Sequence, residues 1–382
     1  MRSEFFHNRI KRSFCLFFFG FLCIIEGSDS GPAGKPRAPE KSALEDLMMR
    51  IADMHCDTIY EIYERRAKGE ECGILENSLH IDLGKMKRGD YLLQNFALFV
   101  PKGDIEGKMP LPEYAFRLAD VFFTEMRKYP DQIGIVKSYQ DIEENRKKGR
   151  MSAMLTMEEG AACEGKLEYL RIFYELGVRM FTFTWNHPTE LAWPNHVIMH
   201  GFQAGFCEPD TEHGLTEKGF EFLEEMERIG MILDVSHLGD KGIYDVIAHA
   251  KKPFVASHSN ARALCGHVRN LTDEMIRGIA QKGGVIGMNF APAFLRDEKD
   301  WGSPKAVSVE DVVRHIRHMI QVGGMECVGL GSDLDGCKIS FEIESAADMP
   351  LLINCLEKNG FTASQIDKIC FENVLRLYKE VL

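Results

Sequence analysis

Residues 231–259 read MILDVSHLGDKGIYDVIAHAKKPFVASHS. Two short apolar runs, Met231–His237 and Pro253–Ser259, flank a stretch with helical spacing at 240–250. An unbroken apolar run of this length suits a strand buried on both faces, as in a parallel sheet covered by helices. Strand, helix and strand in that order make a right-handed βαβ unit. Each run also ends in histidine, at His237 and His258.

The same alternation extends in both directions. Further strand candidates are Ile51–Asp57, Gln94–Val100, Met151–Glu158, Val178–Trp185, Gly284–Phe290 and Cys327–Asp333, which brings the number to eight. Helices are expected over 111–128, 165–176, 217–229, 240–250, 273–282, 309–322 and 364–380. Several open on a capping residue (Thr216, Thr272, Ser308, Ser364), and several close on glycine (Gly177, Gly230, Gly283, Gly323). Eight such units predict an α/β fold, a closed (β/α)8 barrel of the TIM type, over residues 46–382. No GxGxxG or GxxxxGK[ST] is present, which counts against a doubly wound nucleotide-binding sheet. The 58–93 connection reads as one long insertion with little periodicity.

Composition narrows the function. The chain has 382 residues, 45% hydrophobic and 27% charged, an ordinary globular balance. With 46 Lys+Arg against 58 Asp+Glu, the net charge is −12, which argues against nucleic acid as a partner. The 11 cysteines are scattered without a CxxC pair and read as buried reduced thiols. No apolar run reaches the ~20 residues of a membrane-spanning helix. Arg2, Arg9, Lys11 and Arg12 precede the apolar stretch Phe14–Ile25, the shape of a secretory signal, and a flexible linker follows to about residue 45. A start at Met48 or Met49 is the other reading. The first predicts export and the second a cytoplasmic protein.

In such a barrel, function gathers at the C-terminal ends of the strands. The first expected strand ends in Asp53-Met54-His55-Cys56-Asp57, where alternation points His55 and Asp57 the same way. The third ends in Glu158-Glu159, of which only one can face inward. The fifth and sixth end in His237 and His258, side by side on neighbouring strands. The eighth gives Gly331-Ser332-Asp333-Leu334-Asp335-Gly336, with two aspartates on one side of an extended chain. Asp333 is the better placed to reach a metal-bound water, and Asp335-Gly336 reads as a turn. Carboxylates and imidazoles suit a divalent ion such as Zn²⁺, and this many exceed the needs of one tetrahedral site. Two ions sharing a carboxylate are expected.

With these residues in view, the chain resembles the membrane dipeptidase (renal dipeptidase) family of zinc peptidases from about residue 51 to 380. The resemblance implies two Zn²⁺ ions per chain. His55 and Asp57 would hold the first, Glu158 would bridge, and His237 and His258 would hold the second. Gly266-His267-Val268-Arg269-Asn270-Leu271 matches the stretch whose arginine grips the substrate carboxylate, so Arg269 takes that role. Asp333 would face a bridging hydroxide that attacks the peptide bond, acting as general base and then acid. Leu-Gly-Val-Arg at 176–179 and Gly214-Leu215-Thr216 match as well. One position departs: Trp185 stands where mammalian members have a substrate-contacting histidine, and Asn186 or His187 could serve as donor instead.

The implied reaction is hydrolysis of a dipeptide, and a homodimer is left open. A related binuclear amidohydrolase acting on N-acyl amino acids or cyclic amides is the alternative. Such sites commonly carry HxH on strand one and a modified lysine as bridge, so Asp57 and Glu158 count against it. His315 and His318, beside Arg314 and Arg317, read as surface residues. His187, His196, His200 and His213 read mostly as solvated loop residues.

Overall fold

A ring of eight parallel strands closes in the computed structural model, which describes residues 50–200, 203–297, 307–339 and 341–382. The strands are β1 (Ile51–Asp53), β2 (Tyr91–Phe99), β4 (Met151–Glu158), β5 (Val178–Thr182), β8 (Ile232–Asp234), β9 (Val255–Ala256), β10 (Val285–Met288) and β11 (Val328–Leu330). They lie in the order β2-β1-β11-β10-β9-β8-β5-β4. The ring is sealed where β2 pairs with β4, from Leu93 opposite Ser152 to Phe99 opposite Glu158. This is the (β/α)8 barrel expected from the sequence. The readings of residues 1–47 lie outside the described residues. So do the side chains of 197–200 and 203–207, His200 among them.

The barrel strands read as apolar runs because they are buried at every position but Phe99, the last of β2; β4 is buried along its whole length. Helices Leu111–Lys128, Leu167–Leu176, Glu217–Ile229, Asp240–His249, Asp273–Gln281 and Val309–Gly323 stand close to where periodicity places them. Thr216 accepts from the Gly219 amide and Thr272 from the Met275 amide, while Ser308 and Asp311 form a capping box.

Four features depart from expectation. β3 (Ile133–Val136) pairs with the first half of β4 before β5 takes over that edge at Leu155, and helix Tyr139–Lys147 follows it. An antiparallel hairpin, β6 (His196–His200) and β7 (Gln203–Glu208), interrupts the connection after β5. The 58–93 connection is not irregular: it carries helices Thr58–Ala67 and Leu83–Arg88. The last helix begins at Ala363, capped by Thr362 and not Ser364, and passes through a wider turn at Lys368–Glu372 before Asn373–Val381.

Apart from β2 and β4, the strands are also shorter than the apolar runs, for a reason that bears on the site. At the end of β1, Asp53 Oδ1 accepts from the amides of His55 and Ser332, and Oδ2 accepts from Ser332 Oγ. At the end of β8, Asp234 Oδ1 accepts from the amides of Ser236 and Ser257, and Oδ2 from Ser257 Oγ. A carboxylate thus takes amide protons that a longer ladder would have used. The chain is then free to leave the sheet just where the functional side chains begin.

The strand ends approach so closely that a Cβ at Gly331 would overlap the Ser257 carbonyl oxygen. Gly331→Ala should therefore lower stability by about 1–3 kcal/mol, as overpacking of a dense interior does. A reduced urea midpoint with unchanged slope would register it.

Candidate active site

The ends of β1, β4, β8, β9 and β11 deliver the expected residues to one buried place. His55 Nε2 lies 3.3 Å from Glu158 Oε2, 3.5 Å from Asp57 Oδ2 and 3.8 Å from Asp333 Oδ1. The other oxygen of Glu158 faces the opposite pair: Oε1 is 3.1 Å from His237 Nε2 and 3.7 Å from His258 Nε2. Glu158 therefore offers one oxygen to each half of the cluster. Ligand atoms of His55, Glu158 and His258, and those of His55, Asp57 and Asp333, lie within 4.8 Å of one another. Cys56 points away, its thiol donating to the Asn95 carbonyl, as strand alternation requires.

Both histidines of the second pair have their outer nitrogen spoken for. His237 Nδ1 donates to Asn186 Oδ1 at 3.0 Å. Ser257 Oγ gives its proton to Asp234, so it accepts from His258 Nδ1 at 2.8 Å. These contacts leave each Nε2 with a lone pair, and the two Nε2 atoms are 3.1 Å apart. Two acceptors that close repel unless a cation lies between or beside them. His55 Nε2 and Asp57 Oδ1 are likewise buried without a hydrogen-bond partner. A buried polar atom left unpaired costs about 1–3 kcal/mol. The donor set, the orphaned atoms and the fixed tautomers together fit divalent metal.

Electrostatics agree for His237 and His258. Burial, then Arg269, pushes His237 down to about 3, and burial, then His55 and Arg269, pushes His258 well below the usual imidazole range. Both are held in the neutral form that ligates metal. Burial opposes the charge of Glu158, but the neighbouring His55 outweighs it and holds the carboxylate well below its usual range. Burial pushes Asp333 up to about 6, with Glu158 adding to it and His55 and Asn289 resisting.

Glu159 takes no part in the cluster. Its φ of +106° turns it aside, and its carboxylate caps the short helix Gly160–Cys163 through the Ala161 amide. It is fully buried, and burial pushes its carboxyl up to about 8. Asp333 and Asp335 also diverge. Both have left-handed backbone, φ +62° and +68°, so strand alternation does not govern them. Asp333 faces His55 and accepts from Asn289 Nδ2 at 2.9 Å, while Asp335 accepts from Thr58 Oγ1 and the His80 amide. Gly336 follows because a Cβ there would overlap oxygens of Asp57 and Asp333.

Arg269 sits on the loop after β9, 6% exposed. Its guanidinium makes one long bond, 3.4 Å to the His258 carbonyl, and its Nε has no partner. The loop is braced by Arg262, which pairs with Asp240 and donates to the carbonyls of Val268 and Asn270. Asn195 donates to Val268 as well. Asn186, expected as a donor to substrate, uses its carbonyl oxygen to orient His237. His315 is buried rather than exposed: it accepts from the Ala261 amide and reaches the Leu295 carbonyl. His318 pairs with Asp273 at 2.7 Å. Sequence reasoning missed Asp53, Asp234, Ser257, Ser332 and Asn289. Their only local signal was a polar residue inside an apolar run.

Comparison with known proteins bears on this geometry. The family model for membrane dipeptidase, peptidase family M19, matches residues 42–382. An uncharacterized dipeptidase of Schizosaccharomyces pombe is 32% identical over 324 residues, 80% of this chain and 73% of that protein. An uncharacterized protein of the pqqA 5′ region in Klebsiella pneumoniae is 36% identical over 247 residues, 64% of this chain and 87% of its own. Among solved structures, a family M19 metallopeptidase, dipeptidase AC, is similar with a TM-score of 0.78 and 30% identity, covering 87% of this chain and 99% of its own. A Rhodobacter sphaeroides metallopeptidase bound to a phosphinate mimic of L-Ala-D-Ala has a TM-score of 0.78 at 28% identity, covering 88% and 100%. The chain belongs to the membrane dipeptidase family, peptidase family M19, and is a metallo-dipeptidase of that family.

Proposed function

We propose that the chain is a zinc-dependent dipeptidase that cleaves the peptide bond of free dipeptides, with two ions in its buried cluster. His55, Asp57 and Glu158 would hold one ion, and Glu158, His237 and His258 the other. Bound zinc supplies a Lewis acid for the scissile carbonyl and hydroxide near neutral pH. The rest is the work of the protein's own side chains. Asn289 pins Asp333 Oδ2, which leaves Oδ1, the oxygen facing His55, to accept a proton from the attacking water. Asp333 then returns that proton to the leaving amine.

The observation that carries the reading is Arg269, a nearly fully buried guanidinium with donors left over, beside ligand atoms that are also left over. Buried charge of this kind calls for a counter-ion. The carboxylate of a dipeptide fits the planar fork. That pairing would favour substrates whose free carboxylate lies one residue beyond the cleaved bond.

Amino-acid release from L,L and L,D dipeptides by zinc-loaded and chelated protein tests the activity. Release that survives chelation would defeat the zinc reading, and silence on dipeptides with hydrolysis of N-acyl amino acids would move the substrate class. Asp333→Asn should retain both metals by elemental analysis yet lose about 10²–10⁴-fold in turnover. Arg269→Lys should raise KM about tenfold or more while kcat changes less, since a charged hydrogen bond is worth about 1.5–3 kcal/mol. Ser257→Ala should weaken binding of one zinc about 10–100-fold in a titration of the apoprotein and leave the other nearly unchanged.

A further inference from the structure

Three aromatic rings line the mouth on the side away from Arg269. Tyr60 stands in the first turn of helix Thr58–Ala67, just after Asp57; Phe99 ends β2; Trp185 follows β5. All three are half-buried. Tyr60 meets Phe99 edge-on with ring centroids 5.2 Å apart, and Phe99 meets Trp185 edge-on at 5.0 Å. Trp185 in turn lies 6.0 Å from His237. The rings form a continuous shelf that starts at a candidate ligand and runs outward. Edge-to-face packing at these separations holds each ring in a defined orientation.

The barrel order places this shelf. β1 and β2 carry Tyr60 and Phe99 across the ring from β9 and β10, which Arg269 and the Phe294 ring 5.6 Å from its guanidinium follow; Trp185 follows β5, with β8 between it and β9. A dipeptide whose carboxylate meets Arg269 and whose scissile carbonyl lies over Glu158 runs across the mouth. Its C-terminal residue then lies on the Arg269 side, and its N-terminal residue extends toward the rings. A carboxylate side chain would lose its hydration against these apolar faces.

We propose that Tyr60, Phe99 and Trp185 form the subsite for the side chain of the substrate's N-terminal residue, selecting flat apolar side chains and rejecting Asp and Glu. This rests on Arg269 holding the substrate carboxylate. Burying a ring removes apolar surface from water that glycine does not offer. Phe-Ala should therefore exceed Gly-Ala in kcat/KM by about tenfold or more. Glu-Ala should fall below both.

The test measures kcat/KM for X-Ala and Ala-X series (X = Gly, Ala, Phe, Trp, Glu) with the zinc-loaded full chain, alongside Trp185→Ala and Trp185→Phe. The expected result is aromatic preference in the X-Ala series only, with the Phe-Ala to Gly-Ala ratio falling severalfold in Trp185→Ala and restored by Trp185→Phe. A general loss of folding or metal would move all substrates together and leave that ratio intact. Free dipeptides cleaved with no dependence on the first residue, or a ratio unmoved in Trp185→Ala, would overturn the subsite alone. Amidated dipeptides cleaved as fast as free ones, or no dipeptide cleaved at all, would overturn the carboxylate clamp and the subsite with it.

Discussion

Two buried carboxylates hold the ends of four strands, and the site depends on them. Asp53 ties β1 to the Ser332 segment beyond β11, and Asp234 ties β8 to the Ser257 segment beyond β9. The two arrangements match atom for atom: one oxygen receives the amide two residues on and the amide of a serine on the neighbouring strand, and the other receives that serine's hydroxyl. Each clamp lies directly beneath functional residues, His55 and Asp333 in one case, His237 and His258 in the other. A carboxylate accepting several backbone amides is rigid because each bond restricts the others and the dry surroundings strengthen them all. Precision at the mouth of the barrel is therefore built one layer below it.

That layer also settles chemical form. Through Ser257, the Asp234 clamp reaches His258 Nδ1 and leaves the other nitrogen aimed inward. Asn186 does the same for His237 from the loop after β5. The cluster is unbalanced by design: several carboxylates, neutral imidazoles and a buried guanidinium crowd together, with polar atoms unpaired on His55, Asp57 and Arg269. Such a place is costly alone and favourable once positive ions and a substrate carboxylate fill it.

Backbone strain gathers in the same layer. Glu159, His237, Asp333 and Asp335 all have positive φ, though none is glycine. A left-handed residue costs on the order of 1–2 kcal/mol for an L-amino acid. Here the reversal turns His237 and Asp333 toward the cluster and Glu159 away from it, which an extended strand could not do with adjacent residues.

The sequence by itself determined the barrel, the strands that build it and the chemistry at their ends. Burial on both faces writes itself as an apolar run, and the first polar residue after each run marks the mouth. It did not determine which of Glu158 and Glu159 turns inward, since one left-handed φ decides that. Nor did it expose Asp53 and Asp234, which looked like interruptions of apolar runs, because their meaning lies in partners 279 and 23 residues away. His315 read as a surface residue beside arginines, yet its helix turns it onto Ala261 and Leu295. β3 escaped notice because four residues carry too little period to register. A local window reports what a residue is; what it faces is set when distant strand ends are brought within hydrogen-bond reach, and only the folded barrel does that.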